Sequence, residues 1–295
     1  MKTKRKAKAL VLFSGGLDSM LAAKLLQEQN IEVEGVCFES NFFSSSKAKK
    51  AARELAIKIK IINISKELLE IVKNPPSGYG KHLNPCIDCH ALMVRKAGEI
   101  AQQEKFDILA SGEVLGQRPF SQTKDALARI EKLAGREILR PLSAKRLPET
   151  IYEKEGLVIK GRLLSISGRS REVQMELAKK YNLKDYSTPA GGCLLTDPEF
   201  SQRLGKILDY WPDCNTNDVE LLKHGRVIWL KLTSSKRVLM IIGRNKEDNE
   251  KLEKLARKGD IMVELKEIKG PLTIVRSKKS EVYIGFEYTQ EVKDG

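Results

Sequence analysis

Short apolar runs alternate with amphipathic stretches between residues 8 and 142, and this alternation constrains the fold more than any other feature. Five apolar runs have the length of a β-strand: 9–13, 31–38, 59–64, 107–111 and 138–142. The stretches between them repeat apolar residues three and four positions apart, as helices packed on one face do: 19–29, 47–56, 90–104 and 122–134. This order predicts an α/β fold, a parallel sheet with helices on both faces and a ligand site at the carboxyl ends of its strands.

The alternation ends after residue 142, and two loops rich in small residues follow. The first loop, GRLLSISGRSREVQ at residues 161–174, is basic and leads into a predicted helix at 172–181; the second contains PAGGC at residues 189–193. From about residue 200 the chain has β-type runs around a charged helix at 247–258, and they are 227–233, 238–242, 261–265, 272–275 and 282–286. We therefore expect two domains, residues 1–198 and a smaller, β-rich α+β domain at residues 199–295.

Basic residues outnumber acidic ones by 53 to 39, which gives a net charge of +14. An excess of this size is typical of proteins with a polyanionic partner, and nucleic acid is the leading candidate. The alternative is that it reflects the lysine-rich solvated helices that are common in heat-adapted proteins. No apolar run approaches the ~18–20 residues that cross a bilayer, and we recognise no targeting segment, so we expect a cytoplasmic protein with no membrane partner.

The first apolar run leads directly into SGGLDS at residues 14–19, which opens the first helix. Two glycines allow a tight turn with exposed amides, and the helix N-terminus adds partial positive charge, so the loop can cradle a phosphate. Asp18 can hold Mg²⁺, and the hydroxyls of Ser14 and Ser19 can bond to phosphate oxygens. The sequence lacks the Gly-Lys-Ser/Thr of ordinary P-loop ATPases.

At these residues the chain resembles the PP-loop ATP pyrophosphatases, whose fold is that of the adenine nucleotide alpha-hydrolases. These enzymes cleave ATP between the α and β phosphates and adenylate a substrate oxygen. The resemblance covers roughly residues 8–196. It implies that Gly15, Gly16 and Ser19 hold the pyrophosphate portion of ATP, and that the end of the second strand, around Phe38, borders the adenine.

A second segment follows the fourth apolar run, where a parallel sheet places its chemistry. The stretch SGEVLGQ at residues 111–117, continued by SQT at 121–123, resembles the GE-x-LGQ…SQT segment of tRNA 4-thiouridine synthetases. The alternative is a surface loop with a helix cap. The resemblance implies that Gly112 and Gly116 permit close approach of the backbone to the nucleotide, and that Glu113 and Gln117 orient the substrate base or a metal.

Five cysteines in a reducing compartment argue against a disulfide framework and for metal or redox chemistry. Cys86 and Cys89 lie in NPCIDCH at residues 84–90, and Cys193 lies in the later glycine loop. Taken locally, Cys-x-x-Cys-His also matches a haem attachment site, which would require export. A zinc site from both cysteines and two of His82, His90 and Cys193 is open, as is a redox dithiol without metal.

The cysteine positions also resemble those of tRNA 2-thiouridylases, in which two cysteines deliver sulfur. Cys89 and Cys193 fall on those two positions, and Cys86 stands where that family usually has Asp. Cluster-dependent tRNA thiolases of the PP-loop group use three cysteines. The resemblance therefore implies a [4Fe–4S] cluster on Cys86, Cys89 and Cys193 with one iron free for sulfide, whereas Cys37 is expected to be inert core.

These features together predict an enzyme, an ATP-dependent tRNA sulfurtransferase that releases AMP and pyrophosphate. ATP and Mg²⁺ are its expected cofactors, with a [4Fe–4S] cluster, Zn²⁺ or neither at the cysteines. Two alternatives remain: a PP-loop enzyme acting on a small metabolite, and an RNA-binding protein with a vestigial nucleotide site. The tail is either a small RNA-binding module or a structural domain for capping or homodimer formation, and the sulfur donor is not identified.

Overall fold

The computed structural model describes residues 5–184, 186, 192–233, 237–265, 267–268, 270–278 and 290–291. The chain divides into two compact units, Met1–Cys193 and Leu194–Gly295. The boundary expected between residues 198 and 199 falls in the first turn of a helix of the second unit. Two expected features, the strand at 282–286 and the loop residues 189–191, lie outside the described residues.

The first unit contains a parallel four-stranded sheet in the order β3-β2-β1-β4, flanked by helices, as predicted. The strands are β1 (Lys8–Leu12), β2 (Glu32–Glu39), β3 (Lys58–Asn63) and β4 (Ile108–Ser111). The helices are α1 (Leu17–Gln27), α2 (Ser46–Glu54), α3 (Ser65–Lys73), α4 (Cys86–Gln103), α5 (Lys124–Ala134), α6 (Ile151–Lys154) and α7 (Glu172–Lys180). Strands β1 and β4 are almost continuously apolar because both of their faces are covered.

The strand predicted at 138–142 is wrong as a full strand. Leu139 pairs with Ala110 of β4 through one isolated parallel bridge, with backbone bonds from Ser111 N to Leu139 O and from Leu139 N to Leu109 O, both 2.9 Å. Pairing stops at Pro141, which has no backbone N–H to donate to a ladder. The segment is buried all the same, so its apolar character serves the core.

Helix α4 begins at Cys86, four residues before the start that the periodicity predicts. Its N-cap is Pro85, whose carbonyl oxygen accepts a hydrogen bond from the Cys89 amide at 2.9 Å. Cys86 and Cys89 are therefore three residues apart on one face of the first helical turn. The longer helix places both thiols at the amino end of α4.

The sheet order puts β1 next to β4 although α1, β2 and β3 lie between them in the chain. From β1 the chain continues to β2 and β3, which lie on one side of β1 within the sheet, and β4 lies on the other side of β1. The reversal creates a crevice at the carboxyl ends of these two strands, where ligands of open α/β sheets bind. The loop after β1 is SGGLDS, and the loop after β4 begins with Gly112 and Glu113.

The described part of the second unit contains an antiparallel sheet in the order β5-β6-β8-β7-β9 and three α-helices. Its strands are β5 (Arg226–Lys231), β6 (Arg237–Ile242), β7 (Ile261–Val263), β8 (Thr273–Arg276) and β9 (Gln290–Glu291), and its helices are α8 (Pro198–Tyr210), α9 (Thr216–Leu221) and α10 (Lys246–Leu255). Arg276 is fully buried and bonds to Asp260 through both Nε (2.8 Å) and Nη2 (2.6 Å) and to Asp218 through Nη1 (3.0 Å). This ion network links β8 to α9 and to the turn before β7.

None of the helices in the described part of the chain combines the length and the apolar character that a membrane span requires.

Candidate nucleotide and thiol site

The loop between β1 and α1 is a tight turn closed by its own hydroxyl groups. Gly15 has φ +74°, and Gly16 is the extended N-cap of α1. Ser19 Oγ donates to the carbonyl of Gly16 at 2.8 Å, and Ser14 Oγ accepts from the Gly16 amide at 3.3 Å. Both predicted phosphate-binding hydroxyls therefore shape the loop.

Gly15 is required by conformation and by space. A methyl carbon added there would lie 2.5 Å from the carbonyl carbon and oxygen of Lys47, which belongs to α2. Real Cβ atoms do not approach backbone so closely, so the loop can reach α2 only with glycine at this position.

Gly15→Ala is expected to destabilise the protein more than Gly135→Ala does. Both glycines have positive φ, but a methyl group at Gly135, which ends α5, would meet nothing within 4 Å. Both variants place an alanine in the left-handed backbone region, which lowers the free energy of unfolding by about 1–2 kcal/mol. Only Gly15→Ala adds a clash with backbone, which lowers it by a further ~1–3 kcal/mol. Urea denaturation measures the two free energies of unfolding. Equal losses would contradict the close approach of the loop to α2.

The backbone of α1 leaves no room for a side chain at Gly112. A methyl carbon at Gly112 would lie 2.4 Å from the backbone N of Ser19 and 2.5 Å from the carbonyl carbon of Asp18. The glycine therefore lets the loop after β4 pack directly on the first turn of α1. As a result, Gln117 of this loop donates from Nε2 to Asp18 Oδ2 at 2.9 Å.

Arg171, which the sequence alone did not single out, completes this cluster. It is the N-cap residue of α7, and its Nη2 lies 3.5 Å from Asp18 Oδ2. The available signal was the basic loop GRSRE before a predicted helix, but nothing in the sequence places that loop beside SGGLDS. Three atoms of the cluster are buried without a hydrogen-bond partner: Asp18 Oδ1, Gln117 Oε1 and Arg171 Nε.

Glu113 joins the loop after β4 to the thiol-bearing helix. Its carboxylate contacts His90 Nδ1 at 2.7 Å and accepts from Arg140 Nε at 3.0 Å. Burial by itself would raise the pKa of Glu113, but the charge of Arg140 and the bond to His90 outweigh burial and lower the pKa to about 2. Glu113 is therefore an ionised anchor between α4 and the segment that contains Arg140.

The structure brings the three predicted cysteines into one neighbourhood. Burial raises the pKa of Cys89, and the nearby Cys193 and Cys86 raise it further. Cys86 is less buried; burial raises its pKa too, while the positive charge of Arg118 acts in the opposite direction. Cys37 is separate, on β2, and burial raises its pKa to about 11, as expected for an inert core thiol.

The donor atoms of the cysteine group are thiolates, which both zinc and iron–sulfur clusters take as ligands. Among the described residues, which include all five cysteines, no set of three or more His, Cys, Asp or Glu side chains is placed to hold one metal ion.

Two aromatic side chains lie at the carboxyl end of the sheet and beside the cysteine group, respectively. Phe38 is buried at the carboxyl end of β2, whose neighbour in the sheet is β1. Phe120, in contrast, is 58% exposed, and it shares the space around Gly80 with the Cys86 sulfur. An exposed aromatic ring near a thiol offers a flat apolar surface beside the cysteine group.

The first unit is an α/β domain whose glycine loop after β1 lacks the Gly-Lys-Ser/Thr of ordinary P-loop ATPases. Residues 4–149 match the model of the family described as thiamine biosynthesis protein (ThiI). Residues 230–286 match the model described as NFACT protein RNA binding domain.

The comparisons with individual proteins agree with the family match. The chain is 31% identical over 153 residues to a probable tRNA sulfurtransferase of Oceanobacillus iheyensis, an alignment that covers 49% of this chain and 37% of that protein. The chain therefore spans well under half the length of this curated relative.

Two solved structures are also similar to the chain. One is a 4-thiouridine synthetase in complex with RNA and bound ATP, with 24% identity and a TM-score of 0.47 over 72% of this chain and 52% of that one. The other is described as a predicted subunit of tRNA methyltransferase from Methanocaldococcus jannaschii, with 17% identity and a TM-score of 0.39 over 59% of this chain and 76% of that one.

Proposed function

We propose that this protein is an ATP-dependent sulfurtransferase that replaces a carbonyl oxygen of a tRNA base with sulfur. One observation carries the proposal: the phosphate loop and the thiol-bearing helix both attach to the loop after β4. Gln117 of that loop bonds to Asp18, and Glu113 bonds to His90 of α4. A nucleotide-activating loop and a group of thiols held side by side are the two parts that a thiolation reaction needs. The curated relative named as a probable tRNA sulfurtransferase supports the same activity.

The first step is activation of the base. Its carbonyl oxygen attacks the α phosphorus of ATP, the bond from that phosphorus to the bridging oxygen breaks, and pyrophosphate leaves with the electron pair. Exposed amides at the Gly15–Gly16 turn and the amino end of α1 bind the phosphates. Activation is needed because a ring carbonyl does not exchange oxygen for sulfur unaided, whereas an AMP ester is a good leaving group.

The second step transfers sulfur. A sulfide or persulfide sulfur attacks the activated ring carbon, and AMP departs with the former carbonyl oxygen while a proton is released. With sulfide no protein disulfide forms. With a persulfide on one cysteine, a second thiol must attack the resulting cysteine–base disulfide, and the disulfide left between two cysteines must be reduced by an external thiol.

The donor atoms fit the expected metals. Asp18 Oδ1 and Gln117 Oε1 are buried oxygens without partners, and Mg²⁺ takes oxygen ligands, so these two residues would hold the ion that accompanies ATP. The thiols of Cys86, Cys89 and Cys193 would hold a [4Fe–4S] cluster, which supplies an open iron for exogenous sulfide.

The second unit offers a surface suited to RNA. Tyr210 is partly exposed, with the guanidinium of Arg237 4.4 Å from its ring centre and Trp229 packed edge-on at 4.9 Å. Aromatic rings that stack bases, combined with cations that meet phosphates, are typical of single-strand binding surfaces. The matching model of an RNA binding domain covers residues 230–286, and the net charge of the chain is +14.

Arg237→Glu is expected to weaken tRNA binding severalfold and to reduce its salt dependence. The matched control is Lys246→Glu, an identical charge change at a side chain that is 91% exposed at the start of α10. If Arg237 neutralises one phosphate, its replacement lowers the slope of log affinity against log salt by roughly one. Equal effects of the two variants in a filter-binding titration would contradict a specific RNA surface at Tyr210 and Arg237.

The experiment that tests the function uses anaerobically purified protein with ATP, tRNA and sulfide. AMP, pyrophosphate and thionucleoside are measured together by chromatography and mass spectrometry. The expected result is that AMP and thionucleoside form in equal amounts and only with tRNA. ATP cleavage that ignores tRNA and responds to a small metabolite would overturn the proposal.

A further inference from the structure

The basic loop before α7 is held against the nucleotide site by backbone contacts. Ser167 forms an isolated parallel bridge with Leu115, and the Gly168 amide donates to the Leu115 carbonyl at 2.8 Å. Behind them, Ser143 Oγ accepts from the Leu115 amide at 2.9 Å and donates to the Ile166 carbonyl at 2.7 Å. Arg171 is therefore presented to Asp18 by a well-connected loop.

The side chain of Arg171 is placed for a ligand that the protein itself does not supply. Its exposed fraction is 17%, and its Nε is fully buried with no hydrogen-bond partner. Its ion pair with Asp18 is long, at 3.5 Å. Leaving a buried guanidinium donor unsatisfied is costly, so such a group in a crevice indicates an anionic ligand.

The unsatisfied atoms around Arg171 define the chemistry of that ligand. Asp18 Oδ1 and Gln117 Oε1 are acceptors that suit a cation, and Arg171 Nε is a donor that suits an anionic oxygen. A metal-bound phosphate satisfies both kinds of atom at once. The three atoms come from three segments that are distant in sequence. A local distortion of one segment therefore does not explain why all three atoms lack partners.

We propose that Arg171 binds the β and γ phosphates of ATP and neutralises the pyrophosphate as it leaves. This inference rests on the proposed function, which places ATP on the loop of residues 14–19. Arginine suits the role because its planar, permanently charged fork can donate two parallel hydrogen bonds to phosphate oxygens. Negative charge grows on the bridging oxygen as its bond to the α phosphorus breaks, and a fixed cation there favours that charge.

The test compares Arg171→Ala, Arg171→Lys and Arg169→Ala in the full chain. Arg169 is an exposed arginine of the same loop and serves as the matched control. Calorimetry measures the binding of Mg-ATP, Mg-pyrophosphate and AMP. Arg171→Ala is expected to weaken ATP and pyrophosphate binding roughly 10- to 100-fold and AMP binding less than twofold, since AMP lacks the phosphates concerned. Arg171→Lys is expected to recover part of the loss, and Arg169→Ala to bind all three like the unmodified protein.

Thermal unfolding without ligand separates a binding role from a structural one. Unchanged pyrophosphate affinity in Arg171→Ala would overturn the inference. Equal losses for pyrophosphate and AMP, together with a lower melting temperature in both Arg171 variants, would also overturn it in favour of a structural role. Arg171-dependent pyrophosphate binding by a protein that forms no thionucleoside would support this site while overturning the proposed function. Thionucleoside formation by the unmodified protein, with unaltered pyrophosphate binding in Arg171→Ala, would support the proposed function and overturn the role of Arg171.

Discussion

Asp18→Ala is expected to lower tRNA-dependent AMP and pyrophosphate formation by at least about a hundredfold, because the step depends on charge stabilisation around the phosphates. Asp18 presents one carboxylate oxygen to Gln117 and leaves the other buried and unpartnered, beside the glycine loop. Without the carboxylate, the proposed metal and the Arg171 guanidinium lose their common partner. Affinity for tRNA should change little, since RNA binding depends on a basic surface.

Asp125→Ala is the matched control for this variant. Asp125 is the second residue of α5, as Asp18 is of α1, and both acidic groups stand in the first turn of a helix. Each therefore contributes a similar helix-dipole interaction, about 0.3–1 kcal/mol, which the comparison cancels. AMP formation by Asp18→Ala at the unmodified rate would refute the assignment of the phosphate loop.

Replacing any one of Cys86, Cys89 and Cys193 with alanine is expected to remove most of the iron and to lower thiolation activity by at least about a hundredfold. A cube-shaped cluster held by three thiolates keeps only two anchors when one is lost. Cys86 and Cys193 both lie close enough to Cys89 to raise the pKa of its thiol, so Cys89 has the other two thiols near it. Iron and acid-labile sulfide analysis after anaerobic purification, with visible absorbance, measures the cluster directly.

Cys37→Ala and Cys214→Ala are the controls, since Cys37 is buried in β2 and Cys214 is buried within the second unit. They should keep both cluster and activity. A zinc site would instead give one bound zinc without sulfide or visible absorbance. A persulfide mechanism predicts no iron and a partly dispensable Cys86. Iron-free protein that thiolates tRNA would refute the cluster.

The sheet was predictable because β1 to β4 are short apolar runs separated by amphipathic helices. The exception at 138–142 has a local cause that the sequence displays: Pro141 stops ladder pairing, and burial alone made the run apolar. The early start of α4 was harder to predict from the sequence, because apolar periodicity marks the packed length of a helix better than its first polar turn.

The glycine turn at residues 14–19 was predictable for a similar reason, since these residues are contiguous and their motif is local. Arg171 and Arg140 were not, because their partners Asp18 and Glu113 are distant in the chain and meet only after the sheet has formed. Gly112 is a further example. A side chain at this position would collide with the backbone of α1, a neighbour that the sequence alone does not reveal.

The central position of β1 has a consequence for how the first unit forms. Ala9 pairs with Ile108 across the sheet, so the first strand to be synthesised must wait for β4 before both of its edges are covered. Parallel pairing over such a separation is slow, because the chain between must be ordered first. Asp18, Gln117 and Arg171 can come together only after that, because Arg171 follows β4 in the chain and reaches Asp18 through the loop before α7. If ATP binds at this site as we propose, it binds only the finished unit and, at ~100 times its dissociation constant, adds about 2.7 kcal/mol to the stability of that unit.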